Sequence, residues 1–365
     1  MEPGPKIPTV AETLKHPAFP TAIWKLEPDR KGLAPVAEGR GGPLKISWEI
    51  HGEGPTKLIF IMGLGGLKTG WQRQTLYFGH EHRDKYSVLI YDNRGVGDSD
   101  KPLMRYSSSE MARDLCEVLA SPEVGWLPSF PLPKNYAEPR SLHVTGISLG
   151  GMIAQEFACL VAPAISTLNL CCTCAAIENT TTFAENIANR ISMLMPKSID
   201  RSVADTARQV FAHDWLVAKD TSPVPIVGVT PKALPPNENQ KEYLKFDTNA
   251  QRFVAQEMSK RMDPARFGLK GFLLQLIAAG WHHKTKEQLQ KMADDVGRER
   301  ILIMHGTEDK MITVPHGKKL IEFINPGVGM ILDNAGHAPP IERVEWFNNL
   351  VAERAAMGEK LDGRA

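Results

Sequence analysis

No apolar run in this chain reaches the roughly 18 residues that a membrane-spanning helix needs, so a membrane span is not expected. Neither sign of charge dominates. Lys and Arg number 43 against 42 for Asp and Glu, and the formal net charge of +1 gives no field for gathering a polyanion, which argues against nucleic acid as a partner. Cysteine is scarce, with five in 365 residues. An odd number at that density is no disulfide framework and fits a reducing compartment. The cluster Cys171-Cys172-Thr173-Cys174 has no second Cys or His pair of the kind a closed zinc site requires, so it reads as small core residues on a strand. The opening residues are acidic and broken by Pro3, Pro5 and Pro8, where a secretory signal would be basic and then apolar, and a cytoplasmic location is expected.

What is present is ordinary globular composition, 42% hydrophobic and 23% charged, over a length that suits about two domains or one large domain carrying an insertion. Residues 1–43, rich in Pro, Gly and charge, read as an irregular arm with at most one short helix. Short apolar runs then recur at Leu44 to Ile50, Lys57 to Met62, Tyr86 to Tyr91, Ser141 to Gly146, Thr167 to Cys172 and Arg300 to Met304, with a weaker one at Gly329 to Leu332. Such runs suit strands buried on both faces of a largely parallel sheet. Helical patterns alternate with them at Ser108 to Leu119, Leu149 to Leu160, Pro315 to Ile324 and Ile341 to Ala356, which gives an α/β fold with helices flanking the sheet. Residues 175–290 break the alternation. They read as helices without strands, at Phe183 to Met195, Ser202 to Ala212, Ala250 to Met262 and Phe272 to Trp281, with a Pro-rich passage from Ser222 to Pro236. The expected organisation is an arm at 1–43, a sheet core at 44–174 and 291–365, and a helical cap at 175–290.

The sharpest local signal is Gly146-Ile147-Ser148-Leu149-Gly150, a G-x-S-x-G sequence between an expected strand and an expected helix. A serine hydroxyl is a poor nucleophile and must be held out where a base can reach it; an abrupt strand-to-helix turn does so at the cost of backbone strain. The helix that starts just beyond adds free N–H groups and a positive dipole end where an oxyanion would form.

With these residues the chain resembles the α/β-hydrolase superfamily over nearly everything from Leu44 to Ala356. Ile59-Phe60-Ile61-Met62-Gly63-Leu64-Gly65-Gly66 stands where that family has a strand and a His-Gly loop, with Met62 in place of the histidine. The family's oxyanion donors are backbone amides, so the resemblance implies Leu64 and Leu149. Met-Gly-Leu-Gly is also reminiscent of an esterase branch that includes methylesterases. Tyr91-Asp92-Asn93-Arg94-Gly95-Val96-Gly97-Asp98-Ser99 resembles the family's turn after the next strand and reads as architecture, its charges paired locally. In this family the acid and the histidine follow the nucleophile along the chain. His305-Gly306-Thr307-Glu308-Asp309 resembles the acid loop, with Asp309 at the acid position and Glu308 as its fallback. Asn334-Ala335-Gly336-His337 resembles the histidine loop, so His337 is the implied base. The other histidines read as packed residues, and no metal or cofactor motif is present.

The expected activity is a serine hydrolase cleaving a carboxylic ester or lactone through an acyl-enzyme. The cap residues read as offering Trp215, Met195 and Trp281 to the pocket, for a medium-sized, largely apolar small-molecule substrate. The same three catalytic residues also serve aminopeptidases, thioesterases, carbon–carbon hydrolases and acyltransferases, and a lyase or cofactor-free oxygenase can stand on the same scaffold. Outside enzymes the rival is a small-molecule receptor on this fold.

Overall fold

The computed structural model describes residues 7–178 and 197–364. Each apolar run becomes a strand, and the arm adds one more: β1 (Arg30–Val36), β2 (Leu44–His51), β3 (Thr56–Ile61), β4 (Tyr86–Tyr91), β5 (Leu142–Ile147), β6 (Ile165–Cys171), β7 (Ile301–Gly306) and β8 (Val328–Leu332). They form one sheet in the order β1-β2-β4-β3-β5-β6-β7-β8. From β4 to β8 neighbouring strands are parallel, while β1 and β2 join antiparallel at one edge. Every residue of β4, β5, β6 and β7 is buried, as strands covered on both faces must be. The two edge strands are half-exposed, which is why the β8 run is the weakest in the sequence.

The arm differs from expectation. It contains the short helix α1 (Val10–Leu14), but also the whole of strand β1. Gly32 and Pro35 hide that strand in the sequence; an edge strand tolerates them because one side of its backbone needs no ladder partner.

Helices α2 (Ser108–Ala120) and α3 (Leu149–Val161) pack together on one face of the sheet, joined by α8 (Lys286–Val296) and α9 (Val314–Ile324). The last helix, α11 (Val344–Leu361), preceded by the short α10 (Pro339–Glu342), packs on the other face with the helical stretch 68–81. Two apolar clusters result, one per face: Ile59, Val144, Leu149 and Phe157 lie in the first, and Phe60, Ile90, Met304 and Phe347 in the second. Burying each such side chain contributes about 1.5–3 kcal/mol. Between β6 and β7 the described residues form no strand of the sheet. They form helices α4 (Ile199–Val210), α5 (His213–Val217), α6 (Asn249–Arg261) and α7 (Leu269–Gly280), followed by α8. Helix α8 runs through Gln290 and belongs by its contacts to the sheet layer. The Pro-rich passage is irregular and pairs with the arm, Leu234 N donating to Lys25 O at 2.9 Å and Glu27 N to Lys232 O at 2.9 Å. The expected helix from Phe183 to Met195 lies outside the described residues. No helix among the described residues is long and apolar enough to cross a membrane.

Candidate active site

Parallel strands place their following loops at one edge of the sheet, and there β3, β5, β6, β7 and β8 deliver Met62-Gly63-Leu64, Ser148, Cys172, Asp309 and His337. Ser148 stands between β5 and α3 with φ 57° and ψ −125°, a left-handed backbone that an L residue adopts only under strain. Its amide is held by Cys171 O at 3.0 Å and its carbonyl by Thr173 Oγ1 at 2.8 Å, so the turn is clamped from β6. Glycines make the turn possible. A Cβ on Gly146 would come within 2.3 Å of Gly150 O, and one on Gly150 within 2.1 Å of Ile61 O. A Cβ on Gly63 would meet Ser148 Cβ at 3.0 Å and Oγ at 3.5 Å, which puts the loop after β3 directly against the serine. Among the described residues the amides of Leu64 and Leu149 donate to no protein acceptor. The amide of Gly65 is taken by Gln275 Oε1 at 2.9 Å, and Gln275 Nε2 donates to Arg94 O at 2.8 Å. This buried clasp from α7 has no signal in the sequence.

Asp309 is 3% exposed and fully used. Its Oδ1 accepts from the amides of Met311 and Ile312, each at 2.9 Å. Its Oδ2 lies 2.7 Å from His337 Nδ1 and 3.2 Å from His305 Nε2. Burial alone would raise its pKa, but the adjoining His337 and His305 rings and their hydrogen bonds outweigh it and hold the carboxyl well below the usual range. An ionised Asp309 can only accept, so the proton of His337 sits on Nδ1 and Nε2 is left as the basic nitrogen. Neither Nε2 of His337 nor Oγ of Ser148 has a hydrogen-bond partner among the described residues. Bonds of this kind tighten when substrate binds. The two loops meet through β6: Cys172 N donates to Met304 O at 2.9 Å, and Cys172 Sγ approaches Gly336 O at 3.7 Å.

The histidine loop is held from two further sides. His337 N donates to Val210 O at 2.6 Å, so the end of α4 lies against it. Glu342 accepts from Gly336 N at 2.9 Å and from Ala212 N at 3.4 Å, tying the loop to the helical insertion. Burial lifts this carboxyl to about 6 although three amides oppose the shift. The sequence showed Glu342 only as a charge early in an expected helix.

Cys172, His305 and Asp309 place potential ligand atoms within 4.8 Å of one another. The donors do not suit a metal: Asp309 is saturated with hydrogen bonds, His305 Nε2 is engaged by Ile312 O at 2.6 Å, and burial keeps the Cys172 thiol protonated, its pKa raised well above the ordinary value. His305 is thus a packed, hydrogen-bonded residue, and so is His282, 2.9 Å from Ser108 Oγ. The charges after β4 pair locally. Arg94 is bidentate to Asp114, and Asp92 and Asp98 each receive Lys68 Nζ at 2.8 Å.

Of the residues offered to the pocket, Trp215 is half-buried and stacked on Phe211 at 4.4 Å, in a cluster that includes Ala338 beside the histidine. Trp281, at the end of α7, is 72% exposed with Arg105 over its ring. Met195 lies outside the described residues. Two open surface hollows, one lined by Pro128, Pro133 and Tyr136 and one by Lys31, Trp48 and Asp98, include none of Ser148, Asp309 or His337.

Comparison with known proteins agrees with this fold. Residues 50–350 match the family model described as alpha/beta hydrolase family. A protein of Azorhizobium caulinodans named carbamate hydrolase RutD is 32% identical over 123 residues, 34% of this chain and 38% of that protein. A 3-oxoadipate enol-lactonase of Acinetobacter baylyi is 32% identical over 101 residues, 28% of this chain and 31% of its own, so the chain spans about a third of the length of these relatives. A solved thermophilic esterase from Thermogutta terrifontis superposes with a TM-score of 0.61 at 16% identity, over 90% of this chain and 99% of that one. With a matching model over most of its length and the matching sheet, this chain belongs to the alpha/beta hydrolase family.

Proposed function

We propose that this protein is a serine hydrolase in which Ser148 is the nucleophile, His337 the general base and Asp309 the acid that orients it. The observation that carries the reading is the 2.7 Å pairing of His337 Nδ1 with an ionised Asp309, at the same sheet edge as a serine held at φ 57°. Ser148 Oγ attacks a carbonyl carbon while Nε2 takes its proton, and the amides of Leu64 and Leu149 receive the oxyanion. The imidazolium then protonates the leaving oxygen, and water, deprotonated by the same nitrogen, releases the acid from the acyl-enzyme. A carboxylic ester or lactone is the proposed substrate, medium-sized and largely apolar. The described helices between β6 and α8 are its cap, with Trp215 stacked on Phe211 and Phe253 edge-on to the same ring, in a cluster that includes Ala338 of the histidine loop. Relatives named for lactone and carbamate cleavage, and a neighbour named an esterase, favour carbonyl hydrolysis.

Labelling by a fluorophosphonate probe and turnover of p-nitrophenyl esters of rising acyl length test this. Ser148→Ala should lose the label and at least about 10³-fold of the turnover while keeping its melting temperature. A wild-type protein that binds small molecules but takes no label and turns over no ester, thioester or amide would be a receptor instead.

A further inference from the structure

Among the described residues three arginines are almost wholly buried, and two of them have their side edge closed by a carboxylate. Arg94 Nε and Nη2 each donate to Asp114 at 2.6 Å, and Arg252 Nε and Nη2 meet Asp220 at 2.7 and 2.6 Å. The third, Arg73, is 2% exposed, and the same pair of atoms, Nε and Nη2, is buried with no acceptor. The charged groups that act on it are Arg252 and Asp220, and that carboxylate already faces Arg252. Two guanidinium groups therefore share one counter-ion. Burial first, then repulsion by Arg252, bring the Arg73 pKa down to about 9, which still leaves it cationic at neutral pH. A buried, unpaired cation is costly unless something neutralises it. Nη1 of Arg252 is also buried without an acceptor, and so is Nε1 of Trp24, whose own amide is held by Gln72, the residue before Arg73, at 3.0 Å.

We propose that Arg73 binds a small planar oxyanion, a carboxylate, in two-point contact through Nε and Nη2, where the stretch 68–81 meets the N-terminal arm and helix α6. The geometry required is the one Asp114 already displays on Arg94, one carboxylate oxygen to each of Nε and Nη2. The carboxylate is either free in solution or carried by a substrate. Only the second source rests on the proposed hydrolase activity.

The experiment uses the full-length protein and its thermal denaturation in sodium formate against sodium chloride at constant ionic strength. Wild type should gain melting temperature saturably in formate and not in chloride, and Arg73→Met should lose that response. Equal curves for the two salts, or a formate response retained in Arg73→Met, overturns the proposal. Should the variant fail to fold, the comparison of salts on wild type decides alone. The two sources separate in kinetics. If formate raises KM for a p-nitrophenyl ester with a free carboxylate at its far end, and not for the neutral butyrate, the site receives the substrate; stabilisation with both KM values unchanged assigns it to a free anion.

Discussion

Asp309 decides which nitrogen of His337 is basic, and it does so with all its acceptor capacity committed: two backbone amides on one oxygen, two imidazoles on the other. Replacing it with Asn keeps the size but exchanges an acceptor for a donor, so the ring is offered the wrong tautomer. On the proposed mechanism Asp309→Asn should lower kcat by about 10⁴-fold with little change in KM, measured on the best ester of the panel. The depressed pKa of this carboxyl makes an ionised Asp309 a stabilising group above the ordinary carboxylate range, a contribution lost as pH falls through its folded value. Asp309 and His337 were legible in the sequence because the loops after two expected strands resemble the family's acid and histidine loops. Which atoms meet was not, since the partners are 28 residues apart and joined only by adjacent strands.

The turn from β5 into α3 works because its glycines leave no room for a side chain. Gly150 lies against the carbonyls of Ile61 and Met62, 2.1 and 2.8 Å from where its Cβ would be. Those carbonyls belong to backbone and cannot swing aside, so Gly150→Ala must push α3 and the loop after β3 apart. The expected result is a destabilisation of about 1–3 kcal/mol in urea unfolding and, on the proposed mechanism, a fall in kcat of about 10²-fold or more, because the amides of Leu64 and Leu149 would no longer converge. G-x-S-x-G announced this element by itself. The clasp of α7 on Gly65 through Gln275 was invisible, since a glutamine on a helix carries no mark of the loop it will reach.

Across the whole molecule, the helical insertion is fastened at a few polar points to the sheet edge that carries Ser148 and His337, and Glu342 is one with a raised pKa. Its folded pKa of about 6 lies above the ordinary glutamate value of 4.5, so the native state binds more protons than the unfolded chain between those values. The stability it contributes is fully present below pH 4.5 and lost as pH rises through 6, a change of about 2 kcal/mol. Glu342→Gln should flatten that part of the dependence, measured as the difference in unfolding free energy between pH 4.5 and 7.5 in the two proteins. An identical slope in wild type and variant would falsify the assignment. Lys68 ties the sheet together in a similar way, reaching Ser47, Asp92 and Asp98, and Asp98 passes the tie on to Arg266 in the insertion. A lysine in a Gly-rich loop gives no hint of this.

The sequence by itself determined the alternation of buried strands and helices, the strained serine turn and the strand ends on which an acid and a base could stand. These are local properties: hydrophobic period, glycine where a Cβ has no space, and a polar residue just past an apolar run. Only the tertiary structure decided that Gly32 and Pro35 lie in an edge strand, that Trp281 is exposed, and that Arg73 is buried with Nε and Nη2 lacking an acceptor. Burial and pairing depend on what arrives from distant parts of the chain, and no local pattern encodes a neighbour two hundred residues away.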